Sequence, residues 1–165
     1  NINWIGNGLT IPAGPLRESF NNIENYDHIF LNGNLENVDN LTKEIRKINS
    51  NINIHLGKYE PINLSEFNKN KKYFVFSGID NHKTFVSMIK RYDLVVLKDL
   101  EFSDHHSYTK SDIDKIIYEA NNLNCEIITT EKDFLRLNKF NKNRIKVMKT
   151  ELKIIDENKF IKSII

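Results

Sequence analysis

The chain has 165 residues, a net charge of +2 with its histidines neutral, 39% hydrophobic and 28% charged residues, which is ordinary for one soluble globular domain that needs no disulfide or metal staple. Lys and Arg are spread along the chain and do not form the basic stripe with aromatic platforms that marks a nucleic-acid binder. The lone cysteine, Cys125, allows no internal disulfide and reads as a small buried residue, and no run approaches the ~20 apolar residues of a membrane span.

In chain order, residues 26–33 predict a buried strand that ends in a turn at Gly33. Leu41, Ile45 and Ile48 share one helical face over residues 40–48, and residues 52–56 alternate strictly as a strand does. The polar stretches 34–50 and 63–72 read as surface helix and loop; Lys69, Lys71 and Lys72 form either a basic face or a solvated turn. Residues 73–79 predict a strand ending in Ser77-Gly78, and residues 82–91 a helix with Phe85, Met88 and Ile89 on one side. A strand over 93–97 leads into a polar loop, 102–109. A helix over 111–122 follows, with Thr109 or Ser111 as its N-cap. Residues 127–130 form a strand that runs straight into a helix start at Glu131-Lys132-Asp133, and residues 144–148 and 159–165 are strand-like. Strands alternating with helices predict an α/β fold with a mainly parallel sheet and flanking helices. In such sheets ligands gather beyond the C-terminal ends of the strands, so polar groups there carry the most weight.

Three motifs carry chemistry. In Ile11-Pro12-Ala13-Gly14-Pro15-Leu16-Arg17-Glu18 the prolines and glycine fix a sharply turned backbone. Such a loop suits an Arg that grips phosphate and a Glu that ligates Mg²⁺, or else presents Arg17 and Glu18 as a surface ion pair. Phe102-Ser103-Asp104-His105-His106-Ser107-Tyr108 follows a strand and offers a carboxylate beside an imidazole. That pair is suited to binding metal, positioning a base or binding phosphate. Thr129-Thr130-Glu131-Lys132-Asp133-Phe134-Leu135-Arg136-Leu137 opens a helix. Its acids either complement the helix dipole or accompany a cationic face made by Lys132 and Arg136. No G-x-x-x-x-G-K-[ST] phosphate loop occurs in the chain.

Together, and in this order, these motifs resemble the tetraacyldisaccharide 4'-kinase family. The family's Asn-Gly-x-x-x-Pro-Ala-Gly-Pro-Leu-Arg-Glu element stands here from Asn7 to Glu18. Its strand ending in Asn-Gly stands at Asn32-Gly33, its Phe-x-Gly-Ile segment at Phe76-Ser77-Gly78-Ile79, its Phe-x-Asp-His-His-x-Tyr loop at 102–108, and its Thr-Thr-Glu-Lys-Asp-x-x-Arg-Leu element at 129–137. After Gly-Ile the family has a small residue and a proline, whereas this chain has Asp80 and His82. The resemblance implies a lipid kinase with a P-loop kinase-like fold, which moves the γ-phosphate of ATP to the 4'-hydroxyl of tetraacyldisaccharide 1-phosphate, the lipid A precursor. It further implies Mg²⁺ and ATP as cofactors, a substrate at the membrane surface, and a location on the cytoplasmic face of the bacterial inner membrane. By the same resemblance Asp104 and His105 are catalytic, His105 pairing with an aspartate near the P-loop. Arg17, Lys132 and Arg136 bind phosphate or substrate, and Glu18 ligates the metal. Residues 1–165 are then expected to be a single C-terminal portion of the kinase, inactive without the phosphate-loop portion, in keeping with an opening on Asn1 and not Met. Two other readings are a DHH-type metal-dependent phosphoesterase drawing on Asp80, Asp99 and Asp104, and a non-catalytic binding fragment.

Overall fold

Alternation of apolar residues along each strand decides which face meets which helix. The elements, in a computed structural model that describes residues 4–33, 35, 38–137 and 142–165, are β1 (His28–Asn32), α1 (Val38–Ile48), β2 (Asn53–Pro61), β3 (Lys72–Ser77), α2 (His82–Arg91), β4 (Val95–Glu101), α3 (Lys110–Asn122), β5 (Cys125–Thr130), α4 (Glu131–Arg136), β6 (Ile145–Met148), β7 (Thr150–Ile154) and α5 (Glu157–Ile164). Residues 1–3 of the opening segment and 34, 36 and 37 of the first polar stretch lie outside the described residues. The length suggests one compact domain, and the chain divides into two compact units: residues 1–59 with 152–165, and residues 60–151.

In the first unit the sheet order is β1-β2-β7, with β1 and β2 parallel from His28↔Asn53 to Asn32↔Gly57. Ile29 and Leu31 of β1 and Ile54 and Leu56 of β2 share one face, where Leu41, Ile45 and Ile48 of α1 pack. The other face carries His28, Phe30 and His55. The His55 ring stacks on that of His28 with centroids 5.3 Å apart, and Phe160 of α5 stands edge-on to His55 at 4.9 Å. The expectation of a strand over 159–165 is therefore corrected. The β-branched run favours extended backbone locally, but Phe160 and Ser163, spaced i and i+3, both meet His55 only on a helix, and this packing outweighs local propensity. Strand β7, where Leu152 and Ile154 alternate with charged residues, was not anticipated.

In the second unit the order is β4-β3-β5-β6, and all three ladders are parallel. Tyr73 and Val75 of β3 pack with Ile128 and with Phe85, Met88 and Ile89 of α2. Phe74 and Phe76 point the other way, to Ile127 and to Ile113, Ile116 and Ala120 of α3. A strand covered on both faces reads as a continuous apolar run, as Tyr73–Phe76 does. Of the two caps offered for α3, Thr109 is the one used: its hydroxyl accepts from Asp112 N–H while the Asp112 carboxylate accepts from Thr109 N–H. The class is thus α/β, with mainly parallel sheets and flanking helices. Strands β3 and β5 are neighbours whose outgoing connections leave for opposite sides of the sheet, so a switch-point crevice opens beyond Gly78 and Thr130. Among the described residues no helix is long and apolar enough to cross a membrane.

Candidate active site

The crevice is built around the Gly78 peptide. Gly78 N–H donates to Asp133 Oδ1 at 3.1 Å, and Gly78 C=O accepts from Arg136 Nη1 at 3.0 Å and from His105 N–H at 3.2 Å. A Cβ here would stand 2.9 Å from the Ser103 carbonyl oxygen and 3.2 Å from the Tyr108 hydroxyl, so only glycine lets the 102–109 loop close over the end of β3. Asp133, with a side chain 0% exposed, also accepts from Tyr108 OH at 2.9 Å and Thr130 Oγ1 at 2.6 Å, and lies 3.4 Å from Arg136 Nη1. Burial first, and the negative charge of Asp133 second, push the Tyr108 phenol far up, so it remains a donor.

His105 stands at the mouth, its side chain 79% exposed. Its backbone occupies the left-handed region at φ 59°, a conformation that costs a non-glycine residue about 1–2 kcal/mol. Its Nδ1 lies 3.1 Å from Arg136 Nη2, and its Nε2 lies 3.5 Å from Asp104 Oδ2; Asp104 Oδ1 accepts from His105 N–H. His105, His106, Ser107, Tyr108 and Arg136 line an open depression of about 320 Å³. His106 faces elsewhere. It stacks on Phe102 with centroids 4.6 Å apart and lies 3.2 Å from Asp112 Oδ2. Thr109 N–H first, and then the Thr109 hydroxyl and His106, hold the Asp112 carboxyl below its usual range. Lys132 is exposed on α4, one turn before Arg136.

Arg17 and Glu18 belong to the first unit, at the end of a tightly bonded loop. Ile11 N–H donates to Leu16 C=O and Leu16 N–H to Leu9 C=O, while Asn7 Nδ2 donates to Ala13 C=O at 2.9 Å. Gly14 sits inside this loop, where a Cβ would be 2.2 Å from Asn7 Oδ1 and 2.3 Å from the Leu9 carbonyl oxygen. Both residues are exposed. Asn22 donates to Glu18 Oε2 at 3.0 Å and Tyr26 OH to Oε1 at 2.8 Å, and these two bonds, Asn22 first, lower the Glu18 carboxyl from its ordinary value. Arg17 and Glu18 form no ion pair with each other among the described contacts.

The structure therefore brings Asp104, His105 and Arg136 together. Sequence reasoning treated Asp133 as a helix-dipole acid and missed it as the anchor of the crevice. The signal was present: Thr130-x-x-Asp133 has the spacing of a capping pair, directly after a buried strand. His82 was also missed. It is 1% exposed, with Nδ1 2.7 Å from Ser77 Oγ and Nε2 3.0 Å from Asp99 Oδ2. Among the described residues no three His, Cys, Asp or Glu side chains come together to hold a metal.

A family model described as "LpxK: Tetraacyldisaccharide-1-P 4'-kinase" matches residues 2–165. The tetraacyldisaccharide 4'-kinase of Pelagibacter ubique (strain HTCC1062) is 54% identical over 166 residues, covering 98% of this chain and 53% of that protein. The tetraacyldisaccharide 4'-kinase of Rickettsia felis (strain ATCC VR-1525 / URRWXCal2) is 38% identical over 154 residues, covering 90% and 44%. The chain thus spans about half the length of the curated relatives it matches. Among solved structures, the "apo" form of LpxK from Aquifex aeolicus in complex with ATP aligns with a TM-score of 0.55 at 21% identity, over 96% of this chain and 48% of that one, a likeness of fold. With a family match that runs from residue 2 to residue 165, this chain belongs to the tetraacyldisaccharide-1-P 4'-kinase family.

Proposed function

We propose that this chain works within a complete tetraacyldisaccharide 4'-kinase, which transfers the γ-phosphoryl group of ATP to the 4'-hydroxyl of tetraacyldisaccharide 1-phosphate in lipid A biosynthesis. The observation that carries this reading is the 54% identity, over nearly the whole chain, to a relative of that name. The acyl chains of that substrate make it a membrane-surface lipid, so the enzyme works at the cytoplasmic face of the bacterial inner membrane. The chain has no phosphate loop of its own, so ATP is gripped by another part of the complete enzyme.

Phosphoryl transfer rests on positioning and on charge stabilisation. Asp104 and His105 are the catalytic pair, His105 handling a proton at the mouth of the crevice. Arg17, Lys132 and the remaining donors of Arg136 supply positive charge to phosphate. Mg²⁺ takes one or two carboxylates with phosphate oxygens and water, and Glu18 fits as one such ligand: it is exposed, and its carboxyl is held in the anionic form by Asn22 and Tyr26. When bound, the ion would neutralise charge on the phosphates. The DHH-phosphoesterase reading lacks support, because Asp99 is engaged with His82 and Asp80 with Asn81 and no ligand cluster forms among the described residues.

The test is steady-state kinase kinetics of the complete enzyme. His105→Ala should lower kcat by ~10²- to 10⁴-fold with little change in either KM. His106→Ala should leave kcat nearly intact and lower the melting temperature, because His106 packs the loop onto α3. Equal, mild effects at the two positions would end the catalytic assignment of His105.

A further inference from the structure

We infer that Asp133, with Tyr108, is a positioning residue for His105 and acts through Arg136 to fix one tautomer of its imidazole. The inference deepens the kinase reading and rests on it for the role of His105, though the chain of contacts does not depend on that reading. A guanidinium carries only donors, so the imidazole nitrogen facing Arg136 Nη2 at 3.1 Å must be the unprotonated one. That nitrogen is Nδ1, and the ring proton of the neutral form is left on Nε2. The neighbour of Nε2 is Asp104 Oδ2 at 3.5 Å, a carboxylate oxygen able to face that proton. Both neighbours of the ring thus ask for the same tautomer.

Arg136 is held in turn from the crevice floor. Its Nη1 donates to Gly78 C=O at 3.0 Å and lies 3.4 Å from Asp133 Oδ1. Asp133 receives Gly78 N–H, Tyr108 OH and Thr130 Oγ1, so its carboxylate is fixed by bonds from the residue just after β3, the 102–109 loop and the end of β5. Its side chain does not reach the surface. A carboxylate clamped on three sides presents a fixed anion to the guanidinium, and the guanidinium presents a fixed donor to Nδ1.

The experiment is ¹⁵N NMR of the imidazole nitrogens in the 165-residue chain at a pH where His105 is neutral, with kcat and KM of the complete enzyme as a second arm. In the wild type, His105 should show a bare Nδ1 and a protonated Nε2. Arg136→Met and Asp133→Asn should both move the two resonances toward each other as the tautomers mix. If Asp133→Asn does not fold, Tyr108→Phe carries the test, with a smaller movement in the same direction. In the kinase arm, Asp133→Asn or Tyr108→Phe should lower kcat by about 10- to 10²-fold with KM little changed. Wild-type His105 in the opposite tautomer, or resonances unmoved in Arg136→Met and in the folded anchor variant, would overturn the proposal. A wild-type enzyme without 4'-kinase turnover would sink the kinase reading alone, because the NMR arm needs neither ATP nor lipid.

Discussion

His82→Leu should destabilise the second unit by about 2–3 kcal/mol, through one buried hydroxyl. The imidazole is 1% exposed and joins Ser77 Oγ at 2.7 Å to Asp99 Oδ2 at 3.0 Å. Leucine is close in size, so the cavity contribution is small. Ser77 is fully buried, and its hydroxyl would lose its partner in a place water does not reach, which costs ~1–3 kcal/mol. Asp99 has a side chain 46% exposed and returns to water, so its share is about 0–1 kcal/mol. For a unit of this size ~1 kcal/mol moves Tm by about 4–8 °C, which puts the expected drop at roughly 10–20 °C. Urea unfolding of His82→Leu, Ser77→Ala and the double variant separates the causes. Removing both partners leaves no orphaned hydroxyl, so the double variant should be more stable than the sum of the singles implies. Asp99→Asn should be nearly neutral. A His82→Leu protein within about 0.5 kcal/mol of the wild type, or strict additivity in the cycle, would refute this account of the buried pair.

Glu18→Gln in the complete enzyme should shift the Mg²⁺ titration of activity more than it changes lipid binding; an unchanged titration would make Glu18 structural. Gly14→Ala, whose Cβ would meet Asn7 Oδ1 and the Leu9 carbonyl, should open the loop before Arg17, read as faster proteolytic cleavage within residues 7–16 while the second unit melts as before. Burial first, then the charges of His28 and Lys159, lower the His55 imidazole from its ordinary pKa. The unfolded chain therefore binds that proton more readily, and the contribution of His55 is complete above pH ~6.5 and lost as pH falls through the lowered folded value. The first unit should melt earlier at pH 5.5 than at pH 7.5, and His55→Gln should flatten that slope.

Most of the fold could be read from periodicity. The 3.6-residue spacing of Leu41, Ile45 and Ile48 and the unbroken run Tyr73–Phe76 mark elements whose faces are set by their own residues. Residues 159–165 could not be read this way: the segment is β-branched and becomes a helix because Phe160 and Ser163 must reach His55, a contact with a residue more than a hundred positions earlier. The candidate site divides similarly. Asp104 and His105 were legible as motif members after a strand, and Arg136 as a motif member on the helix that follows one. Asp133 and His82 looked like a first-turn acid and an ordinary helix residue, since their meaning comes from long-range partners: Gly78 and Tyr108 for the one, Asp99 for the other. The Thr130-x-x-Asp133 spacing announces a cap, but the burial of that carboxylate is set by topology.

The division of the chain into 1–59 with 152–165, and 60–151, also sets an order on the ribosome. The second unit is one uninterrupted segment, and its sheet β4-β3-β5-β6 is complete once Glu151 has emerged. The first unit begins earlier and finishes later. β1 and β2 emerge first, but the strand that pairs on the other side of β2 is β7, and the helix that packs on Phe30 and His55 is α5. At synthesis rates of about 5–20 residues per second, β2 waits with one edge unpaired for on the order of 5–20 s while residues 60–151 are made. An open strand edge is a template for another chain. Slower synthesis of residues 60–151 should therefore be felt in the nascent protein as aggregation through the open edge of β2.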